Sequence, residues 1–554
     1  MAITIGNASG FYGDRFAAVR EMLTGGPLDV LTGDYLAELT MVILGRDRMK
    51  DARCGYAKTF LRQMEQCLGL AMERGVKVVT NAGGLNPSGL AQALHDLAQR
   101  LGVQAKIAYV TGDDLIERAG ELGLGMPLTA NAYLGAWGIA ECLREGADIV
   151  VTGRVTDASL VVGPAAAHFG WARDDFDALA GAVVAGHVLE CGAQATGGNF
   201  SFFTEISMGY LGFPLAHIES DGSSVITKHP GTGGAVTVET VTAQLLYEIE
   251  GARYAGPDVT ARFDTISLRQ DGPDRVRIGG VKGEPPPPKM KVCLNHLAGF
   301  RNDVTFVLTG LDIEAKAELV RRQLADQRLG LEWTLARTDH TDAAGEAEAS
   351  ALLHVTAKGS DPAKVGRAFS NAAVELALAS YPGFTLTAPP GDASPYAVYT
   401  PAFIEPIAHT AVLHDGQRVT IEPSAQTREL SKAEEPSVRV FGRRPSVWAP
   451  LGRVVGARSG DKGGNANIGV WARDDAGWPW LAQTLTVAKL KELLPEAADK
   501  TVTRHVFPNL RALNFVVEGI LGEGVSSGTR FDPQGKGLGE WLRSRHVDVP
   551  EELL

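Results

Sequence analysis

The sequence predicts an α/β protein: a large N-terminal parallel-sheet region followed by a small C-terminal α+β domain. Three observations carry that prediction. Short apolar runs alternate with helical patterns between Ile3 and Val151. Each run closes on glycine and a short polar residue. After Trp448 the pattern changes to a compact β-β-α-β-α-β order.

The runs come in order. Ile3–Ile5 leads into Gly6-Asn7-Ala8-Ser9-Gly10, Val30-Leu31 into Thr32-Gly33-Asp34-Tyr35, and Val76–Val79 into Thr80-Asn81-Ala82-Gly83-Gly84. Ile107–Val110 leads into Thr111-Gly112-Asp113-Asp114, and Ile149–Val151 into Thr152-Gly153-Arg154. Runs this short and β-branched read as strands buried on both faces. Helical patterns at Phe60–Arg74 and Leu90–Leu101 lie between them. Alternation of this kind implies parallel strands with right-handed crossovers. All five polar turns then fall on one sheet edge, the carboxyl edge where ligands bind in open α/β sheets. Arg154 sits on that edge, and its fork of donors suits a carboxylate or phosphate. Asp157 fits two roles, capping the helix that follows or facing substrate.

Bulk properties narrow the class. The chain has 554 residues, 45% of them hydrophobic, a formal net charge of −12 and a pI near 5.6. Such a surface argues against nucleic acid as a partner, because phosphate binding needs a basic stripe. Five cysteines, Cys54, Cys67, Cys142, Cys191 and Cys293, contain no CxxC. That argues against a disulfide framework or thiolate zinc site and favours a reducing cytoplasm. No signal peptide or membrane-spanning run is read in the sequence. The glycine-rich, apolar composition suggests a homo-oligomer.

Further along, Leu128–Glu145 reads as a helix, and so do residues 176–195. In the second, His187, Glu190 and Cys191 are spaced i, i+3, i+4 and share a helical face. They offer an acid–base pair or an activated thiolate; the alternative is a buried thiol packed as a small hydrophobe. The helix ends at Thr196-Gly197-Gly198-Asn199. Residues 199–250 read as β-rich, with a glycine loop at Lys228–Gly234 before a helix at Thr237–Ile249, an arrangement suited to an anion. Strands are expected at Val276–Val281, Met290–Leu294, Val304–Leu308 and Glu332–Arg337, and helices at Ala315–Gln327 and Pro362–Ala379. Residues 414–445 read as a linker. The domain boundaries expected are 1–440, with subdomains 1–250 and 251–440, and 441–554.

In the C-terminal domain, strands are expected at Gly452–Ala457 and Ile468–Ala472, joined by the polar loop Arg458–Asn467. Its glycines let backbone approach a ligand, with Asp461, Lys462 and Asn465 beside it. A helix at Val487–Leu494, a strand at Val502–Val506, a helix at Leu510–Leu521, a strand near Thr529–Phe531 and a helix at Leu538–Arg543 complete it.

Six segments, GNASGFYGDR (6–15), LTGDYLAELTM (31–41), TNAGGLNP (80–87), VVTGRVTDASLVVGP (150–164), GHVLECGAQATGGNF (186–200) and RSGDKGGNANIGV (458–470), carry a resemblance. Together they resemble the acyclic terpene utilisation protein family, long labelled a domain of unknown function. The similarity covers nearly the whole chain, including the small C-terminal domain that the family regards as ferredoxin-like. Resembling chains lie in pathways that degrade citronellol and geraniol through coenzyme A thioesters, and some are fused to subunits of biotin-dependent acyl-CoA carboxylases. The resemblance therefore implies work on a branched acyl-CoA or its acid, by hydration or carbon–carbon cleavage. No cofactor is expected, a coenzyme A thioester being a possible substrate. The resemblance implies no catalytic residues.

Motif positions supply the candidates. Arg154 would hold a carboxylate or phosphate, and Asp157, Asp34, Glu190 or His187 would move protons. Asn7, Ser9, Gly10, Asn81, Gly83, Gly84, Gly153, Thr196, Gly197, Gly198 and Asn199 would orient the carbonyl and its enolate. Asp461, Lys462 and Asn465 would complete the pocket or take coenzyme A phosphates. Alternatives are a non-catalytic partner of an acyl-CoA carboxylase, a hydrolase using Cys191, and a metal enzyme on Asp34, Asp113, Asp114 and His187. No recognised ligand spacing supports the metal.

Overall fold

Residues 2–325, 329–431 and 435–554 are described by the computed structural model. They form two compact units: Met1–Asn295 with Tyr399–Gly522 and Gln534–Leu554, and His296–Val398 with Glu523–Pro533.

The first unit is built on strands Ile3–Asn7 (β1), Val30–Gly33 (β2), Lys77–Thr80 (β3), Ile107–Thr111 (β4), Thr129–Ala132 (β5) and Ile149–Thr152 (β6). Five of these pair in parallel in the order β1-β2-β3-β6-β4. They are apolar on both faces because helices cover both. Leu31, Val78, Ile149 and Val151 meet helices Ala18–Gly25, Lys58–Glu73 and Pro87–Leu101, whereas Val30, Val79 and Val150 belong to the core of helices Trp137–Arg144, Ser159–Phe169 and Phe176–Leu189. All five carboxyl ends therefore open on one edge.

The sheet is mixed rather than wholly parallel. Antiparallel strands extend it on both sides, Pro214–Ile218, Ser224–Lys228, Val276–Gly279 and Ser267–Gln270 beyond β1, and His409–Val412 and Arg418–Ile421 beyond β4. The last of these lies inside the expected linker 414–445, whose residues 432–434 are outside those described. Among the described residues no helix is long and apolar enough to cross a membrane.

Several expected elements changed type because a tertiary partner decided them. Leu128–Glu145 is not one helix. Its start is β5, paired antiparallel with residues 292–295, and only Trp137–Arg144 is helical. The helix from 176 stops at Leu189 and continues as a tighter turn, Gly192–Thr196. Arg458–Asn467 is not a loop: Val455–Lys462 and Asn465–Ala472 are strands joined by Gly463-Gly464, with Lys462 opposite Asn465. Two glycines suit so tight a hairpin. Leu510–Leu521 is a strand over Ala512–Val517, in which Leu513, Phe515 and Val517 face the apolar core while Asn514 faces Asn467. The C-terminal sheet thus runs Val455–Lys462, Asn465–Ala472, Ala512–Val517, Val502–Phe507, covered by the helices Gly477–Thr484, Val487–Leu493 and Leu538–Ser544.

In the second unit the expected strands 290–294 and 304–308 are parts of one strand, Met290–Thr309, whose far half begins this unit. Helix Ile313–Leu324 follows; the expected end at Asp326 and Gln327 lies outside the described residues. Then come Gly330–Ala336, Ser350–Gly359, a helical stretch that Gly366 breaks near 364–378, and Thr385–Leu386. The sheet order is Gly330–Ala336, Ser350–Gly359, Met290–Thr309, Thr385–Leu386, the order of a split βαβ unit. Thr529–Phe531 forms no strand.

Gly10 shows how tightly the carboxyl edge is closed. A Cβ there would lie 2.7 Å from the Gly192 nitrogen and 2.8 Å from the Cys191 carbonyl carbon. Backbone cannot swing aside as a side chain can. Gly10→Ala is therefore expected to cost about 1–3 kcal/mol and to lower the thermal midpoint in calorimetry; an unchanged midpoint would show that the corner yields.

Candidate functional site

The turns at the sheet edge are wired to one another. The Asp34 amide donates to the Ser9 carbonyl at 3.0 Å. Asp34 Oδ1 accepts from Asn81 Nδ2 at 2.7 Å and from the Leu36 amide at 3.1 Å, while Asn81 Oδ1 accepts from the Tyr35 amide at 2.7 Å. Across the edge, Asp113 Oδ2 accepts from the Arg154 amide and from Asn131 Nδ2, each at 2.8 Å. Gly153 is obligatory here, since its Cβ would stand 2.3 Å from Asp113 Oδ1. Burial pushes the Asp113 carboxyl up to about 7 against the pull of those two donors.

Arg154 is the centre of this edge but not an open anion hook. It is 3% exposed. Its Nη1 donates to the Leu36 carbonyl at 2.8 Å and lies 3.1 Å from Asp157 Oδ1. Its guanidinium carbon stands 4.4 Å from the Tyr133 ring centroid. The expected substrate carboxylate is thus replaced by the protein's own Asp157. Asp157 in turn is not a helix cap: the helix begins after Ala158 with no side-chain cap bond. Its side chain keeps 29% exposure, so the pair touches solvent through the carboxylate.

The helix Phe176–Leu189 delivers the next group. His187 and Glu190 share a face as their spacing requires, with Nδ1 3.0 Å from Oε1. His187 is fully buried against Tyr254 and Phe263, at ring distances of 5.1 and 5.6 Å. Burial, then repulsion by Lys462, lowers its pKa to about 4 and leaves it neutral. Burial, then Asp157 and Glu248, pushes the Glu190 carboxyl well above the usual range. The Cys191 thiol is raised by burial and by the Glu190 and Glu248 carboxylates, which makes it a poor nucleophile. Asn7 anchors this corner, its Nδ2 donating to the Leu189 and Glu190 carbonyls at 2.7 and 3.3 Å.

Residues that carried no sequence signal complete the cluster. Glu38 accepts from the Tyr133 hydroxyl at 3.0 Å. Lys291 lies over Tyr133 and Tyr399, at 5.1 and 6.0 Å from the ring centroids. The C-terminal hairpin enters from the other side. Lys462 Nζ donates to the Glu248 carbonyl at 2.9 Å, and Asn467 clamps the same segment by bonds to the Leu246 carbonyl and the Glu248 amide, each at 2.8 Å. Burial, then Glu248, raises the Asp461 carboxyl to about 7. Glu38, Asp157, Glu248, Lys291, Asp461 and Lys462 all remain partly exposed around buried Asp34, Arg154, His187 and Glu190. No spacing rule links positions 38, 248, 291 and 399; only paired acids and bases brought together by the fold reveal them.

Other expected residues serve the frame. The Asn7 and Asn81 amides are spent on internal bonds, so they do not meet a substrate carbonyl. Ser9 Oγ donates to the Phe11 carbonyl at 3.1 Å. Gly83 and Gly84 pack against Thr152, Pro87 and Gly55. Thr196 donates to the Ala193 and Gly212 carbonyls, Gly197 and Gly198 pack on Ile206 and Ala193, the Asn199 carbonyl accepts from Arg458, and Asn465 accepts from the Gly519 amide. The expected anion loop is filled from within, by Asp274 on the Val236 amide at 2.8 Å and on Lys228 at 3.1 Å. Asp114 pairs with Arg48 at 2.5 Å, away from Asp34 and His187, and among the described residues no group of three or more His, Cys, Asp or Glu is placed to hold a metal. A small pocket lined among others by Trp137, Arg173, Pro286 and His409 shares none of the site's side chains.

Two outcomes follow from this geometry. Arg154→Ala strands Asp157 and is expected to lower the thermal midpoint, at the lower end of roughly 3–5 kcal/mol because Asp157 is partly solvated; an intact midpoint would mark the pair as dispensable. Asp113 binds its proton more tightly folded than unfolded, so its stabilisation is full below about pH 4 and is lost as pH rises to about 7. Asp113→Asn should remove that loss, so the variant gains on the parent in melts between pH 4 and 7 and not above.

Comparison with known proteins places the chain. No curated protein matches it. The model of the acyclic terpene utilisation family protein AtuA matches residues 3–414, which include the whole carboxyl edge, and the model of the AtuA ferredoxin-like domain matches residues 449–548, which include the Asp461–Lys462 hairpin. With most of its length matched by the first model, the chain belongs to the acyclic terpene utilisation family AtuA.

Proposed function

We propose that this chain is an enzyme of acyclic terpene breakdown that acts by general acid–base catalysis next to the carbonyl of a branched acyl-CoA or the corresponding acid, as a hydratase or carbon–carbon lyase. The observation that carries this reading is the Glu190 carboxyl 3.0 Å from the buried His187 imidazole, in a cluster that also holds ammonium groups, where burial raises the carboxyl and lowers the imidazole. Titratable groups whose environments push them apart divide acid from base. Glu190 gives its proton to the leaving oxygen, and in the hydration direction its carboxylate takes the proton from the entering water. His187, fully buried, is a positioning residue that fixes the Glu190 carboxyl. Asp157, oriented by Arg154 and partly exposed, takes the proton from carbon. Lys291 stabilises the negative charge that develops on the acyl carbonyl or carboxylate oxygen.

The alternative hydrolase on Cys191 is disfavoured by its raised thiol, and no feature of the site favours a non-catalytic carboxylase partner. The test is turnover of a panel of branched α,β-unsaturated and 3-hydroxy acyl-CoA thioesters and free acids. Glu190→Gln keeps a neutral polar side chain, so the thermal midpoint should hold while kcat falls by about 10²–10⁴-fold. A parent protein that turns over none of the panel, or an active Glu190→Gln, would sink the proposal.

A further inference from the structure

The assignment of this cluster as the active site, on which the following rests, leaves open which group holds the substrate's anion. Arg154 cannot receive a substrate anion, because Asp157 and the Leu36 carbonyl already hold it. Lys462 is tied to the Glu248 carbonyl, and Lys536 lies 3.8 Å from Glu248 and 3.9 Å from Asp461. Lys291 differs from all three. Among the described residues no acceptor lies within hydrogen-bond or ion-pair reach of its Nζ. Two tyrosine rings hold it instead, Tyr133 at 5.1 Å and Tyr399 at 6.0 Å. The rings fix the stem and attract the cation through their faces, but they satisfy none of its three donors. The side chain starts on the strand Met290–Thr309, next to the pairing with β5, so its root is rigid.

We propose that Lys291 is the anchor for the carboxylate of a free branched-chain acid, with the buried, unpartnered hydroxyl of Tyr399, whose ring lies against the ammonium, as a second donor. The surrounding charges select for a single carboxylate. Glu38, Asp157, Glu248 and Asp461 belong to the same cluster, so the polyphosphate of a nucleotide handle would meet several carboxylates for one open ammonium. The groups facing Lys291 are Lys462 from the C-terminal hairpin, Glu38 from the helix Glu38–Lys50, Glu250 after the helix Val238–Leu245, Arg154 from the β6 turn, and Cys293 on its own strand. Burial first and Lys462 second lower the Lys291 pKa. A bound carboxylate opposes both, so binding is coupled to proton uptake and weakens as pH climbs through that lowered pKa.

The experiment is titration calorimetry of the full chain with 3-methylbut-2-enoate, from pH 6 to 10 in two buffers of different ionisation enthalpy. The parent should bind, with proton uptake at the alkaline end. Lys291→Met should weaken binding by about ten- to a hundredfold with the thermal midpoint kept. Lys291→Arg should restore part of the affinity and abolish the alkaline fall-off, because guanidinium does not titrate in that range. Equal affinity in the parent and Lys291→Met, no binding by the parent, or borohydride trapping of a ketone on Lys291 would each overturn the anchor. The active-site reading fails separately, if Glu190→Gln keeps full turnover whatever Lys291 does.

Discussion

Charge buried at the carboxyl edge of the parallel sheet is the constraint on which the rest depends. Removing Asp34, Asp113, Arg154 and Glu190 from water is costly unless each is paired, hydrogen-bonded or neutralised by a proton. The chain uses all three solutions. Arg154 is paired with Asp157, Asp34 is held by Asn81 and the Leu36 amide, and burial pushes the Glu190 carboxyl toward its protonated form. The glycines are consequences of this wiring. Gly153 exists so that Asp113 can reach the Arg154 amide, and Gly10 so that the Glu190–Gly192 corner can lie on the β1 turn.

The same constraint explains the division of labour between modules. The N-terminal core supplies the acids and the paired guanidinium. The ammonium groups arrive from elsewhere, Lys291 on a strand that leaves the core and Lys462, tied to the Glu248 carbonyl, on the C-terminal hairpin. Asn467 and Asn514 lock that hairpin to the Leu246–Ile249 segment through buried amide bonds. The hairpin therefore flanks the cluster, and its Lys462 is one reason that His187 stays neutral.

Much of the frame was legible in the residues. The five runs ending in Asn7, Asp34, Asn81, Asp113 and Arg154 do form five parallel strands with their ends on one edge, because period, length and turn chemistry agree there. The i, i+3 spacing of His187 and Glu190 correctly put them in contact. Other segments carried a local signal that tertiary pairing overrode. Thr129–Ala132 and Ala512–Val517 look helical in isolation and are strands because a partner strand lies beside each. The split βαβ order of the second unit was missed for a similar reason, since its first strand continues a strand of the first unit.

By itself, the sequence determined the class of the protein, its family resemblance and the polar edge, since these depend on local periodicity and on residues close in the chain. Which side chains face that edge was decided by the tertiary structure. Glu38, Tyr133, Glu248, Lys291 and Tyr399 are far apart in sequence and unremarkable where they stand. They become a site only when folding excludes water around them, because burial and neighbouring charge, not residue type, set whether a carboxyl keeps its proton or an amine stays without a partner.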